Sequence, residues 1–270
     1  MFNSNKVLFI DGPYCIFSAF FSAKKKLLKN NPELAKTEDW SRCEKFTKIF
    51  YKRIKNLIYQ MSKKFEVRRS NIYFVRDCPR ETIWRRDYYQ KYKENRKTTT
   101  RHNKKTHSLG NLFKWIYGEL PEMAKKLDFK IIKINSAEAE DVISVIVKEI
   151  RRESIESKIY IIAADSDYYQ ILDDNIYMYN LFFKRLDIKL KETPLELLTT
   201  KILKGDDTDN VRGVLSRGKK KDTKNIFSSH ININKFLLNR RLIDFKCIPM
   251  KIKENILDEY RHLNSIQVSA

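Results

Sequence analysis

The segment Ile159-Tyr160-Ile161-Ile162-Ala163-Ala164-Asp165-Ser166-Asp167 runs six apolar or aromatic residues directly into two carboxylates two positions apart. A short, unbroken apolar run reads as a strand buried on both faces, the kind that fills the interior of a parallel sheet. The carboxyl ends of such strands line the crevice where ligands bind. Asp165 and Asp167 are therefore expected at the mouth of a site. Other runs repeat the pattern: Val7-Leu8-Phe9-Ile10 ends in Asp11-Gly12-Pro13, and Ile72-Tyr73-Phe74-Val75 is followed by Asp77. A third run over 131–134 precedes Glu138, Glu140 and Asp141, which open a helix through Val142, Ile146 and Ile150.

Apolar residues at helical spacing predict helices over 42–65 and 109–127, between the strands. Residues 176–179 and 184–190 read as two further strands, arranged as a hairpin. Thr193-Pro194 is an N-cap followed by proline at the first helical position, opening a helix to about residue 203. Helices are also predicted near 233–242 and 249–261. The alternation implies an α/β fold with a mostly parallel central sheet flanked by helices, its strand order left open. The expected division is a catalytic core over 1–190, with a basic arch near 85–108, and a C-terminal helical region over 191–270.

Lys and Arg total 55 against 34 Asp and Glu, a formal net charge of +21. That excess points to a polyanionic partner, nucleic acid before membrane. No apolar run approaches the roughly 18 residues of a membrane span. Val7 to Ile10 is too short for a signal-peptide core, and Asp11 interrupts it. The four cysteines show no paired spacing and the four histidines no ligand pattern, which argues against a disulfide scaffold or a zinc site. A reducing compartment follows as the expected location: the cytoplasm, or the host cytoplasm for a viral protein.

Taken singly, Asp11 before Gly-Pro reads as a turn residue, and Glu138 to Asp141 as acids complementing a helix dipole. Asp206 and Asp209 read as loop acids. The shared placement after successive strands changes the reading, because a parallel sheet brings these acids to one rim. So many carboxylates together are costly unless cations neutralise them. Oxygen-only ligation favours a hard ion, two Mg2+ or Mn2+ as the substitute. Two such ions about 4 Å apart can clamp the attacking and leaving oxygens of a displacement at phosphorus, so the set reads as a phosphodiester hydrolase.

Tyr89, Tyr92, Lys93 and Arg96 fall at spacings of three and four, so in a helix they share a face. Lys91, Lys97, Arg101, Lys104 and Lys105 extend the run with almost no compensating acid. Such a stretch suits a nucleic-acid backbone, with tyrosines available to stack on unpaired bases. Lys93 or Arg96 is placed to reach a scissile phosphate and offset charge in the transition state.

Together these motifs resemble the structure-specific 5′-nucleases of the flap endonuclease superfamily, and within it the phage ribonuclease H branch. The resemblance is carried by Ile10-Asp11, Trp84-Arg85-Arg86-Asp87, Tyr92-Lys93-Glu94-Asn95-Arg96, Glu138-Ala139-Glu140-Asp141, Ala164-Asp165-Ser166-Asp167, and Ile202-Leu203-Lys204-Gly205-Asp206 with Asp209-Asn210-Val211. It implies that Asp11, Asp77, Glu140 and Asp165 hold a first metal. Asp141, Asp167, Asp206 and Asp209 serve a second, with Glu138 supporting. It makes Lys93 and Arg96 the basic pair of a helical arch, with Arg85, Tyr92 and Lys97 beside them on the nucleic acid. Arg217, Lys219, Lys220 and Lys221 are expected on duplex phosphates, although Gly213 to Lys219 only approximates the family's hairpin pattern. Glu140 stands where the family usually has Asp. The implied activity is 5′-3′ exonuclease, flap endonuclease and ribonuclease H cleavage in primer removal during viral replication. The implied substrates are branched or nicked DNA and RNA–DNA hybrids, with a sliding clamp and a single-stranded-DNA-binding protein as candidate partners of a monomer. One alternative is a non-catalytic nucleic-acid-binding protein of the same fold. Another is a PIN-like endoribonuclease, which needs neither the arch nor Asp206 and Asp209.

Overall fold

The apolar runs pair side by side in this computed structural model, which describes residues 5–96, 107–214 and 230–265. Strands β1 (Lys6–Asp11), β2 (Ile72–Arg76), β3 (Lys130–Lys133), β4 (Lys158–Ile162) and β5 (Ile176–Tyr179) form one sheet. Its order is β3-β2-β1-β4-β5, and every pair is parallel. The opening segment's strand β4 lies beside β1, with Ile162 opposite Ile10, while β2 sets Val75 opposite Asp11. The acids that follow these strands thus leave the sheet at one rim.

Alternate side chains go to opposite faces of a strand, and both faces are covered. Leu8, Ile10, Ile72, Phe74 and Ile162 pack with helices α1 (Gly12–Asn30), α2 (Glu44–Phe65) and α4 (His107–Leu127). The short helix α3 (Arg85–Tyr88) precedes α4. On the other face, Phe9, Tyr73, Val75, Ile159 and Ile161 pack with α5 (Ala139–Glu153) and α8 (Met250–Ser265). A third cluster joins Cys78, Ile83 and Tyr92 to Ile202, Val211, Leu242 and Ile243. It brings in α6 (Pro194–Lys204), α7 (His230–Ile243) and the short antiparallel pair β6 (Gly205–Asp206) and β7 (Val211–Arg212). Residues beyond 190 are therefore held to the sheet layer by shared apolar cores. Among the described residues no helix is long and apolar enough to cross a membrane.

Two local readings change. Asp11-Gly12-Pro13 ends β1, but it also opens α1, a 19-residue helix that the sequence had not announced. Asp11 is its N-cap, accepting from the Tyr14 backbone N–H at 3.0 Å. Proline fits the first turn because its missing N–H would be unpaired there anyway. The expected strand over 184–190 is instead a tight turn closed by an isolated bridge between Tyr179 and Arg185, followed by a single 3-10 turn at Asp187–Lys189. The cause is local: the Asn180 carboxamide oxygen accepts the N–H groups of Phe182 (2.9 Å) and Lys184 (3.0 Å). Phe183 takes a left-handed φ of 59°, which breaks any strand.

Gly12 is where the strand end and the helix start must pass close to β2. A Cβ there would lie 2.4 Å from the Val75 carbonyl oxygen and 2.6 Å from the Phe74 ring. Gly12→Ala is expected to cost about 1–3 kcal/mol through overpacking, read as a lowered urea midpoint at unchanged slope. A variant as stable as the parent would show that this junction has slack.

Candidate metal centre

At the carboxyl rim of the sheet, Asp11, Asp77, Glu138, Glu140 and Asp165 line one cleft of about 320 Å³, with Lys93 and Arg96 on its wall. Each acid is placed by the start of a helical segment or by a turn. Asp11 caps α1 and also accepts from the Tyr168 hydroxyl at 3.0 Å. Asp77, one residue past β2, accepts the Ala139 N–H at 2.8 Å and so reaches the N-terminus of α5. Glu138 is the N-cap of α5, its own N–H bonded to Asp141 at 3.0 Å. Asp165 caps the turn after β4 by accepting the Asp167 N–H at 3.0 Å.

The acids fall into two groups able to hold a cation. Glu140, Asp165 and Asp167 offer oxygens within 4.8 Å of one another, and so do Asp167, Asp206 and Asp209. Asp167 belongs to both. Burial pushes the Asp11 carboxyl up to about 6, helped by Asp165. Burial, then Glu138 and Asp11, push Asp77 up to about 7. Burial also raises Asp167 to about 6, and Glu140 lies well above the ordinary range. Buried carboxylates strained toward protonation, with oxygen as their only donor, fit a hard divalent cation.

The basic residues nearby neutralise the set unevenly. Arg85 is 1% exposed. It grips Asp141 through two N–H donors at 2.9 and 2.8 Å, donates to Glu138 at 3.0 Å, and reaches the Leu242 carbonyl at 2.7 Å. Trp84 Nε1 donates to the same Asp141 at 3.0 Å. This corrects one expectation: Arg85 is sealed inside and does not lie on nucleic acid. Asp141 already receives four hydrogen bonds from protein donors. Tyr92 is likewise 1% exposed. Its hydroxyl donates to Asp209 (2.7 Å) with Glu138 at 3.0 Å, so it organises the acids and does not stack on bases.

Residues 90–94 are turns and not the expected helix, and Lys93 has a left-handed φ of 56°. Its N–H donates to the Asp209 carbonyl at 2.9 Å, which pins the turn to the loop between β6 and β7. Tyr92, Lys93 and Arg96 nevertheless converge on Asp209. Lys93 Nζ lies 3.3 Å from that carboxylate and 2.5 Å from Glu138, and Arg96 Nη2 lies 2.6 Å from Asp209. Burial disfavours the Lys93 ammonium, but Glu138 and Glu140 outweigh it and raise its pKa. Asp206 accepts from the Thr208 N–H at 2.8 Å and hydroxyl at 2.6 Å. Burial pushes its carboxyl up, but hydrogen bonds from Lys201 and Thr208 bring it below the usual range. Lys97, Arg217, Lys219, Lys220 and Lys221 lie outside the described residues.

Two participants were not singled out in the sequence: Tyr168, which donates to Asp11, and Lys201, which bonds both Asp167 and Asp206; Trp84, quoted in a motif without a role, donates to Asp141. Tyr168 directly follows the Asp165-Ser166-Asp167 motif, a proximity that could have flagged it. Lys201 carries no such local mark.

The family model described as 5′-3′ exonuclease, N-terminal resolvase-like domain, matches residues 6–200, and the chain belongs to that nuclease family. Ribonuclease H of Enterobacteria phage T4 is 27% identical over 210 residues, 68% of this chain and 67% of that one. A 5′-3′ exonuclease of Mycoplasmopsis pulmonis is 27% identical over 243 residues, 86% of this chain and 69% of that one. The fold is that of the bacteriophage T5 flap endonuclease crystallised with DNA and metal ions: TM-score 0.69 at 14% identity, over 96% of this chain and 98% of that one. A T5 5′-exonuclease with bound zinc gives TM-score 0.69 at 16% identity, over 96% and 99%.

Two outcomes follow from these charges. Arg85→Met strands Asp141 and Glu138 in the interior and is expected to cost about 3–5 kcal/mol in denaturant unfolding; a cost below about 1 kcal/mol would place Arg85 at the surface. The pH dependence has a definite sign. Asp11, Asp77, Asp167 and Glu140 bind protons more tightly folded than unfolded, so stability falls as pH rises from about 4 to about 7. Glu138 and Asp206, with lowered values, act oppositely but only below about 4.5. In EDTA the thermal midpoint should therefore be higher at pH 5 than at pH 7.5. Divalent cation should raise it at pH 7.5 and much less at pH 5, where protons compete. A midpoint that climbs steadily from pH 5 to 7.5 in EDTA would contradict the buried acid set.

Proposed function

We propose that this chain is a magnesium-dependent 5′-3′ exonuclease and flap endonuclease with ribonuclease H activity, acting at 5′ ends and junctions of DNA and RNA–DNA duplexes in primer removal during viral DNA replication. The observation that carries this reading is the single cleft where Asp11, Asp77, Glu138, Glu140 and Asp165 meet beneath Lys93 and Arg96. Asp11, Asp77, Glu140 and Asp165 would hold a first ion, and Asp167, Asp206 and Asp209 a second, with Glu138 between. Such ions, when bound, activate a water and stabilise charge on the attacking and leaving oxygens. Lys93 and Arg96 would contribute the cationic side facing the scissile phosphate, where Glu138 and Asp209 turn to ions. Arg96, whose side chain is 43% exposed, moves with little desolvation, whereas Lys93 at 8% is held in place.

The net charge of +21 supplies the attraction for a polyanion. In this reading residues 1–190 carry the catalytic groups and residues 191–270 grip duplex, with Lys97, Arg217, Lys219, Lys220 and Lys221 on phosphates. The proposed setting is a monomer in the cytoplasm, with a sliding clamp and a single-stranded-DNA-binding protein as candidate partners at the fork.

The test is digestion of a 5′-flap duplex and an RNA–DNA hybrid, each labelled at either end, in Mg2+ and in EDTA. Short 5′-derived products in Mg2+ and none in EDTA are expected. Asp165→Asn should lower the cleavage rate by at least about 10³-fold while flap binding stays within about threefold. Tight flap binding by the wild-type protein without cleavage in any divalent ion would leave a binding protein of this fold.

A further inference from the structure

The two groups of acids differ in what already faces them. Among the described residues no lysine or arginine forms an ion pair with Asp11, Asp77 or Asp165. Glu140 has only Arg85, at 3.4 Å, and Arg85 is committed to Asp141. An ion held by Asp11, Asp77 and Asp165 displaces no basic side chain, and one that also draws on Glu140 loosens only its contact with Arg85. The group formed by Asp167, Asp206 and Asp209 is different. Lys201, in the last turn of α6, sends its ammonium between Asp167 and Asp206, donating to Asp167 Oδ1 and lying 2.8 Å from Asp206 Oδ2. Its side chain is only 19% exposed. A compact ammonium with several donors, set among carboxylate oxygens that converge within 4.8 Å, stands where a small cation would be bound.

We propose that Lys201 is a tethered counter-ion for the second cation position, and that a second divalent ion enters only by displacing it. The inference rests on the metal-dependent reading above and adds an order of loading to it. The first ion would bind Asp11, Asp77, Glu140 and Asp165, of which Glu140 alone faces a basic side chain among the described residues. The second would have to displace Lys201 from Asp167 and Asp206 and, where it draws on Asp209, loosen Arg96 and Lys93 as well; charge-assisted hydrogen bonds are stronger than neutral ones, and its affinity is lowered accordingly. The displaced side chain has somewhere to go. Lys201 also lines an open cleft of about 580 Å³, together with Asp165, Asp167, Asp206 and Asp207 and with Thr200, Lys204 and Thr208. A phosphate lying in that cleft offers the ammonium a new anionic partner, so nucleic acid and the second ion favour each other's binding. Before substrate arrives, Lys201 keeps Asp167 and Asp206 from repelling one another.

The experiment is a titration with Mn2+ alone, followed by calorimetry and by electron paramagnetic resonance of the free ion. It is run on the wild-type chain and on Lys201→Met, Lys201→Gln and Lys201→Arg. The wild type should bind one Mn2+ tightly and one weakly. Lys201→Met and Lys201→Gln should tighten the weak site by at least about tenfold and leave the tight one within about twofold. Lys201→Arg, which keeps the charge, should leave both sites close to wild type. In EDTA the neutral variants should melt below the wild type, because Asp167 and Asp206 lose their counter-charge, and Mn2+ should restore them. An unchanged or weakened second site in a neutral variant that melts cooperatively would overturn the role of Lys201. Absence of Mn2+ binding by the wild type and every variant would overturn the metal-dependent reading itself, a distinct result.

Discussion

Repulsion among carboxylates is the constraint around which this protein is built. Two unit charges 4 Å apart interact by about 4 kcal/mol at an effective dielectric of about 20, and the rim of the sheet gathers many more than two. Their compensation is graded. Asp141 sits at one extreme, fully buried and gripped by Arg85 and Trp84. Glu138 and Asp209 are intermediate, shared among Arg85, Tyr92, Lys93 and Arg96. Asp11 and Asp77 sit at the other extreme: they receive only hydroxyl or backbone N–H donors and are pushed toward protonation. The gradient separates acids that hold the fold together from acids left open to an added cation.

The scaffold meets this constraint by where it places the acids. Asp11, Glu138 and Asp165 each cap the N-terminus of a helical segment, and Asp77 leans on another. Helix N-termini carry partial positive charge and unpaired N–H groups, so the backbone supplies part of the neutralisation. A parallel sheet makes this arrangement available repeatedly, because each strand's carboxyl end hands the chain to a helix at the same rim. Gly12 lets that handover occur against β2 without a clash.

Legibility followed the range of the interaction. The apolar runs of β1, β2 and β4 and the acids after them are local patterns, and they led to the sheet and its rim from the sequence. The Thr193 N-cap with its following proline is local too, and it is present as read. Arg85 and Tyr92 were misplaced because a stretch rich in Arg, Lys and Tyr reads as a nucleic-acid surface. Their true partners lie far along the chain, Asp141 56 residues from Arg85 and Asp209 117 residues from Tyr92. The spacing of Tyr89, Tyr92, Lys93 and Arg96 did bring functional groups together, but through a turn pinned by Asp209 and not through a helix face. Asp11-Gly12-Pro13 serves both as strand end and helix start, and only the first role was read. Lys201 was invisible because a lysine near a helix C-terminus is ordinarily a dipole partner in solvent.

Glu140 shows how one methylene changes the balance at such a site. The resemblance places an aspartate at this position, and a shorter side chain would sit further from the guanidinium of Arg85. Glu140 extends from the first turn of α5 far enough to lie 3.4 Å from Arg85 while its carboxylate stays within reach of Asp165 and Asp167. It thereby links the structural pair Arg85–Asp141 to the open acids. An ion drawing Glu140 toward Asp165 must loosen that link, whereas Asp11 and Asp77 need release no basic partner. The cation positions are consequently unequal before any substrate is present, and the inequality is written in which carboxylates the protein has already neutralised for itself.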